Sequence, residues 1–269
     1  MYPYDLFFGI DLYDIMFALA LIASLLLVRI LGDRLSVKTK TLNLWIISAF
    51  VAMIGGLLSS VLFQAFYDYL ETGVFEISAS TGMTFYGGLI GGVVTFLVVC
   101  YGVGYFIDRE HDNVKETRHA LDIAACCITL SHAIGRIGCA FAGCCYGQKT
   151  DSWFGIYNVS LGYRTVPLQL MESAFIFLLF GVFLWRILHG KTYNLPLYLI
   201  SYGVWRFFIE YLRDDDRGAS FVSFLSPSQV TAIVLIIAGI ILFAVLYSSE
   251  NGKRRRDKSA DGAESEEAK

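Results

Sequence analysis

The run Gly135-Arg136-Ile137-Gly138-Cys139-Ala140-Phe141-Ala142-Gly143-Cys144-Cys145-Tyr146-Gly147 joins one arginine to four glycines and three cysteines directly after a short apolar segment. An arginine near hydrocarbon is costly and calls for an anion or an acidic partner. Glycines let backbone approach a ligand closely and leave N–H groups available to it. Together they predict a polar, phosphate-recognising site at a membrane face.

A second constellation reads Tyr202-Gly-Val-Trp-Arg206-Phe-Phe-Ile-Glu210-Tyr-Leu-Arg213. At about 100° per residue, Tyr202, Arg206, Glu210 and Arg213 fall on one narrow stripe of a helix. An Arg206–Glu210 pair that merely locks a helix bundle is the plain reading. Two arginines against one carboxylate leave a positive excess, which suits a phosphate ligand. His132 and Arg136 are four apart and share a helix face. His132 is read either as a structural donor or as a catalytic or substrate-contacting group. Gln169 and Glu172 also share a face, after Pro167 in a helix's first turn, and Glu172 is expected to pair with a cavity arginine. Tyr86 opens Tyr86-Gly87-Gly88-Leu89-Ile90-Gly91-Gly92, whose small residues permit close helix packing. The alternative is that the glycines hold open a cavity for the Tyr86 hydroxyl. For Cys139, Cys144 and Cys145, the C-x4-C-C spacing differs from the usual structural zinc patterns, and the sequence reading assigns neither metal nor cofactor. A disulfide among them is permitted outside the cytoplasm and stays open.

The elements that must position these groups are membrane helices. The 269 residues are 56% hydrophobic and only 17% charged, with a mean hydropathy of +0.58. Soluble domains carry about a quarter charged residues. Residues 41–67, 77–107 and 230–247 include long apolar stretches, each sufficient for the roughly 20 residues that a span requires. Near-neutral balance, with a net charge of −3, excludes a nucleic-acid binder. The fold class is therefore an all-α integral membrane protein with about seven transmembrane helices, near 11–31, 42–66, 83–107, 120–136, 167–188, 194–213 and 228–247.

Fifteen of the 21 basic residues fall in connections on one side, including Arg29, Arg34, Lys38, Lys40 and Lys253 to Arg256; five fall on the other. By the positive-inside rule the N-terminus is outside and the C-terminus cytoplasmic. Met1-Tyr-Pro-Tyr-Asp5 lacks the basic start of a signal peptide, so the first helix is expected to remain. Residues 1–247 form one domain, and 248–269 are expected to be a disordered charged tail with its basic cluster near anionic head groups. Asp214, Asp215 and Asp216 add charge to the outer face. No internal repeat is evident, which weakens transporter readings built on inverted symmetry.

The ordered set of motifs resembles the prolipoprotein diacylglyceryl transferase family. The pieces are Tyr13 before Met16, Tyr86 to Gly91, Gly135 to Gly138, Gly143 to Gly147, Pro167-x-Gln169-Leu170-x-Glu172, Tyr202-x3-Arg206-x3-Glu210 and Leu225-Ser226-x2-Gln229. They run through all seven expected spans. The resemblance implies an enzyme of the bacterial inner membrane, with its active site toward the outer face. It would move a diacylglyceryl group from phosphatidylglycerol to the lipobox cysteine of a prolipoprotein signal peptide, releasing glycerol phosphate. Carried over by position, Arg136 binds the lipid head group, and Arg206 holds the phosphate or helps activate the thiol. Glu210 orients Arg206, while Tyr13, Tyr202 and Gln169 line the site. Glu172, Gly138, Gly147 and Arg213 complete the substrate-binding set. The chain departs from well-studied members in having Tyr86 where a His usually precedes Gly-Gly, and Cys139 where Asn is common. The Gly-Cys-Cys-Tyr-Gly form with an upstream His resembles a branch of the family. His132 or Tyr86 is expected to supply the missing proton handling. Two other readings stay open: a divergent paralogue with another phospholipid or acceptor or without activity, and a seven-helix receptor or transporter.

Overall fold

In the computed structural model, residues 6, 9–78, 81–214 and 225–267 are described, with side chains for all of these except 71, 85 and 253–267. Met1 to Asp5, Asp215, Asp216 and Arg217 lie outside the described residues. The order is α1 (Leu12–Arg34), α2 (Thr39–Thr72), α3 (Phe85–Leu97), a π-helical stretch (Val98–Val103), α4 (Gly104–Ile107) and α5 (Asp112–Lys115). It continues through α6 (Thr117–Ala142), β1 (Ile156–Asn158), β2 (Tyr163–Thr165), α7 (Leu168–Leu188), α8 (Asn194–Ile209) with a 3₁₀ turn (Glu210–Leu212), and α9 (Pro227–Glu267).

Among the described residues, six helical stretches are long and apolar enough to cross a membrane. Their outward side chains are apolar and uncovered, as at Ile30, Leu58 and Leu178, all more than 60% exposed; lipid is the solvent such a surface fits. The seventh expected span, 194–213, is shorter. Its α8 has 16 residues, and with its 3₁₀ turn it reaches about 30 Å, the thickness of the hydrocarbon core.

Two boundaries differ from the sequence expectation. The fourth span does not end at 136 but runs to Ala142, so Arg136 lies well inside the helix rather than at its last residue. Gly138 is accommodated there because α1 packs closely on it. A Cβ on Gly138 would stand 3.1 Å from Tyr13 Cδ2 and 3.2 Å from Met16 Cβ. At the other end, the backbone expected to be disordered from 248 stays helical to Glu267. Lys, Arg, Ala and Glu are all good helix formers, and the two isolated glycines, Gly252 and Gly262, are too weak a break to stop them.

The chain divides into two units, residues 28–120 and the remainder. In the 28–120 unit, α2 and α3 pack along the expected glycine stripe. A Cβ on Gly91 would fall 2.1 Å from Ser59 Cβ, and one on Gly56 would meet the Gly88 carbonyl at 3.0 Å. The glycines therefore serve close helix packing rather than holding a cavity open. Below them the π stretch frees the Cys100 carbonyl, which accepts the fully buried Asn113 Nδ2 at 2.7 Å.

In the other unit, α6, α7 and α8 are tied together at two levels. At one end, Asp122 Oδ1 accepts the Asn194 backbone N–H at 2.7 Å, and Arg186 Nε donates to Asn194 Oδ1 at 2.8 Å. At mid-height, Ser173 Oγ donates to the Ala133 carbonyl at 2.8 Å, which fixes α7 against the turn of α6 that carries His132 and Arg136.

Candidate active site

Glu172 is the hub. Its side chain is 1% exposed and sits one helical turn after Pro167. Glu172 Oε1 accepts Arg136 Nη2 at 3.0 Å and the Tyr202 hydroxyl at 2.7 Å. His132 Nε2 stands 3.9 Å from the same oxygen, and its Nδ1 meets the Tyr198 hydroxyl at 3.3 Å. The His132 ring packs edge-on to Tyr202, and Tyr202 stacks on Tyr198. The i,i+4 spacings read from the sequence thus deliver one cluster from α6, α7 and α8.

One turn along α8 lies a second cluster. Arg206 Nη2 is 2.9 Å from Glu210 Oε2 and donates to Ser228 Oγ at 2.8 Å. Arg213 Nε lies 3.8 Å from the same carboxylate oxygen, and Ser226 Oγ donates to Glu210 Oε1 at 2.9 Å. Ser226 does double duty. Gln229 N donates to Ser226 Oγ at 3.2 Å, while Ser226 N donates to Gln229 Oε1 at 3.0 Å. That reciprocal pair is a capping box opening α9, with Pro227 at its first helical position. Ser226-Pro-Ser-Gln229 therefore starts a helix and delivers two hydroxyls to the Arg206–Glu210 pair. Tyr198 and Ser228 were not singled out in the sequence; the Ser-Pro-Ser-Gln signature was the available signal for Ser228.

These polar groups are buried but not saturated. Among the described residues, the donors Arg136 Nε and Arg206 Nη1 and the acceptors Gln169 Oε1 and Glu210 Oε2 are buried without a hydrogen-bond partner, the last ion-paired with Arg206. An unmet buried donor costs about 1–3 kcal/mol, more when charged, so such atoms mark a place for a ligand. Across the two clusters, three guanidinium groups face two carboxylates. The formal excess is a single positive charge.

The remaining site candidates fall around this network. Gln169 Nε2 donates to the Cys144 carbonyl at 2.5 Å and so braces the loop after α6. Tyr13, 40% exposed near the start of α1, packs on Gly138. Gly147 is a packing residue too: its N–H donates to the Val166 carbonyl at 3.0 Å, so this amide is spent on the fold. A Cβ there would fall 2.8 Å from Leu168 Cγ and 2.9 Å from both the Leu212 carbonyl and Val166 Cβ. Gly147→Ala is expected to lower stability by about 1–3 kcal/mol, read as a drop in unfolding midpoint in detergent. An unchanged midpoint would mean that this crossing is looser than described. Tyr86 belongs to the 28–120 unit, second residue of α3 and 39% exposed.

The loop after α6 gathers the three cysteines. The Sγ atoms of Cys139, Cys144 and Cys145 all lie within 4.8 Å of one another. Hydrogen bonds from its two neighbour thiols, reinforced by Arg136 and Arg213, hold the Cys145 thiol well below the usual range, while the same neighbours push Cys144 up.

The fold and site together describe a helical membrane protein whose facing spans bury arginines beside carboxylates, with donors left over. Residues 4–245 match the profile described as prolipoprotein diacylglyceryl transferase, and the chain belongs to that family. A Clostridium tetani protein called phosphatidylglycerol–prolipoprotein diacylglyceryl transferase is 32% identical over 251 residues, spanning 88% of this chain and 94% of that one. A Clostridium perfringens protein of the same name, numbered 2, is 30% identical over 250 residues, spanning 88% and 92%. One from Finegoldia magna is 31% identical over 243 residues, spanning 87% and 91%.

Proposed function

We propose that this chain moves the diacylglyceryl group of phosphatidylglycerol onto the thiol of a prolipoprotein's lipobox cysteine. The observation that carries the reading is the buried pair Arg136 and Arg206, each holding a carboxylate with one nitrogen and keeping another nitrogen free. A phosphodiester bears one negative charge, which matches the single positive excess of the network. Guanidinium forks suit its paired oxygens. Family membership and the names of the relatives support the same donor and acceptor.

In this reading Arg136 and Arg206 hold the phosphate and stabilise the charge that grows on it as the glyceryl C–O bond breaks. Glu172 and Glu210 orient the two arginines, with Tyr202, Tyr13, Gln169 and Arg213 lining the site. The acceptor must attack as a thiolate, so a proton has to leave it. His132, beside Glu172 and Tyr198, is assigned to that proton, with Tyr86 as the alternative carried by the sequence alone. The distribution of basic residues supports an outer N-terminus, a cytoplasmic C-terminus and a site toward the outer face of a bacterial cytoplasmic membrane.

The test mixes purified full-length protein in detergent with phosphatidylglycerol and a lipobox peptide, then weighs the peptide. A diacylglyceryl mass gain is expected, absent when the donor is phosphatidylethanolamine or when the peptide's cysteine is serine. No gain from folded protein would overturn the proposal in favour of a divergent paralogue. His132→Ala and Tyr86→Phe divide the proton role: at least one is expected to slow transfer by about a hundredfold or more. Full activity in both would remove the two residues from the chemistry.

A further inference from the structure

The loop from Gly143 to Gly147 is built to turn two cysteines back toward a third. Gly143 and Cys145 both take left-handed backbone, with φ of 75° and 60°, a conformation that a cysteine rarely adopts. Two fully buried amides hold the turn from outside: Asn158 Nδ2 donates to the Gly143 carbonyl at 3.0 Å, and Gln169 Nε2 donates to the Cys144 carbonyl. Cys139 projects from the last turn of α6 to meet them, and the Cys144 thiol approaches the Cys139 carbonyl at 3.7 Å. The result is three sulfurs within 4.8 Å, with Arg136 and Arg213 in electrostatic reach of Cys145 and Tyr13 beside all three.

We propose that Cys139, Cys144 and Cys145 form a binding site for a thiophilic divalent cation, zinc, with its fourth position open to the thiol of the acceptor peptide. The acceptor part of this inference rests on the transferase reading; the metal part does not. Three thiolates around zinc at about 2.3 Å place their sulfurs about 3.8 Å apart, a contraction that side-chain rotation supplies. Thiolate ligands select zinc over harder cations. Three protein ligands with one open position are the arrangement of a catalytic rather than a structural zinc. Three thiolates on one dication leave a negative charge, and the neighbouring arginines offset it.

The chemistry suits thiol alkylation. Zinc held there would lower the pKa of the acceptor thiol, whose proton passes to His132, the group assigned to it above. A sulfur electron pair then forms the S–C bond to the glyceryl carbon, and the C–O bond breaks with its pair going to the phosphate oxygen. Glycerol phosphate leaves on the arginines. No oxidant or reductant is needed.

The test uses tag-free full-length protein purified with reductant, exchanged free of loose metal and analysed for zinc. About one zinc per chain is expected, with none in the triple variant Cys139→Ser/Cys144→Ser/Cys145→Ser, which keeps Cys100, Cys126 and Cys127. Cys145→Ser alone should weaken zinc binding by at least tenfold, and a monodisperse elution profile checks that each variant is folded. Cobalt in place of zinc should give a thiolate charge-transfer band that grows when a lipobox peptide is added, and stays unchanged with the serine peptide. Equal zinc in wild type and triple variant would overturn the proposal, as would an intact mass lighter by two hydrogens that disappears on reduction, which marks a disulfide. Full-rate lipid transfer by zinc-free protein would refute the metal's role and leave the transferase standing. Bound zinc without any lipid transfer would keep the metal site and refute the transferase.

Discussion

Arg206→Lys is expected to cut diacylglyceryl transfer by about a hundred- to a thousandfold while leaving the protein folded. The cause is geometric rather than a loss of charge. Arg206 uses Nη2 for Glu210 and Ser228 and leaves buried Nη1 unpartnered. Lysine offers one ammonium where arginine offers a rigid fork, so it can hold Glu210 or reach the phosphate but cannot do both. Removing one preorganised donor from a site where charge develops costs about a factor of 10² to 10³ in rate. The check is the rate of mass gain on the acceptor peptide, beside the thermal unfolding midpoint of the same preparation. A variant within threefold of wild type would place Arg206 among the bundle-locking ion pairs, the plain reading that its i,i+4 spacing with Glu210 always allowed.

Glu172→Ala is expected to be the most destabilising single change in the network, by about 3–5 kcal/mol. This carboxylate is 1% exposed, and its loss strands a buried Arg136 and leaves the Tyr202 hydroxyl without its acceptor. Breaking one side of a buried pair costs that much because the remaining charge is uncompensated. The double variant Arg136→Met/Glu172→Leu removes both charges and is expected to recover most of the stability, since apolar replacement of a buried pair is often neutral. It should not recover transfer. Denaturant unfolding in detergent measures the first part and the peptide assay the second. If Glu172→Ala unfolded like wild type, water would have to reach this pocket, contrary to its burial.

What the sequence made legible was whatever depends on helical period. Arg206, Glu210 and Arg213 lie on one stripe and do meet. His132 and Arg136 share a face, and Glu172, expected to find an arginine, finds Arg136. The six long spans follow from apolar length alone. What stayed hidden depends on contacts between distant segments. Ser228 reaches Arg206 across 22 residues, and Tyr198 reaches His132 across 66; periodicity within one helix says nothing of either. Gly138 read as a loop because glycine weakens a helix, yet α1 fills the space there and the helix continues to Ala142. The gathering of the three cysteines was hidden for a related reason. A linear C-x4-C-C spacing ignores a left-handed residue, and Cys145 in that conformation is what folds the loop back onto Cys139. The third-span glycines, read both as packing and as cavity, are settled by Ser59, Gly56 and Phe63 of α2, which occupy that face.

In the proposed reaction Arg136 is a phosphate-holding group and more than a structural partner of Glu172. The most direct measurement is transfer from phosphatidylglycerol to a lipobox peptide by Arg136→Ala, at matched folded protein and saturating peptide. A fall of at least about a hundredfold, with phosphatidylglycerol no longer co-purifying, is the predicted result. Transfer at the wild-type rate, with lipid still bound, would contradict it.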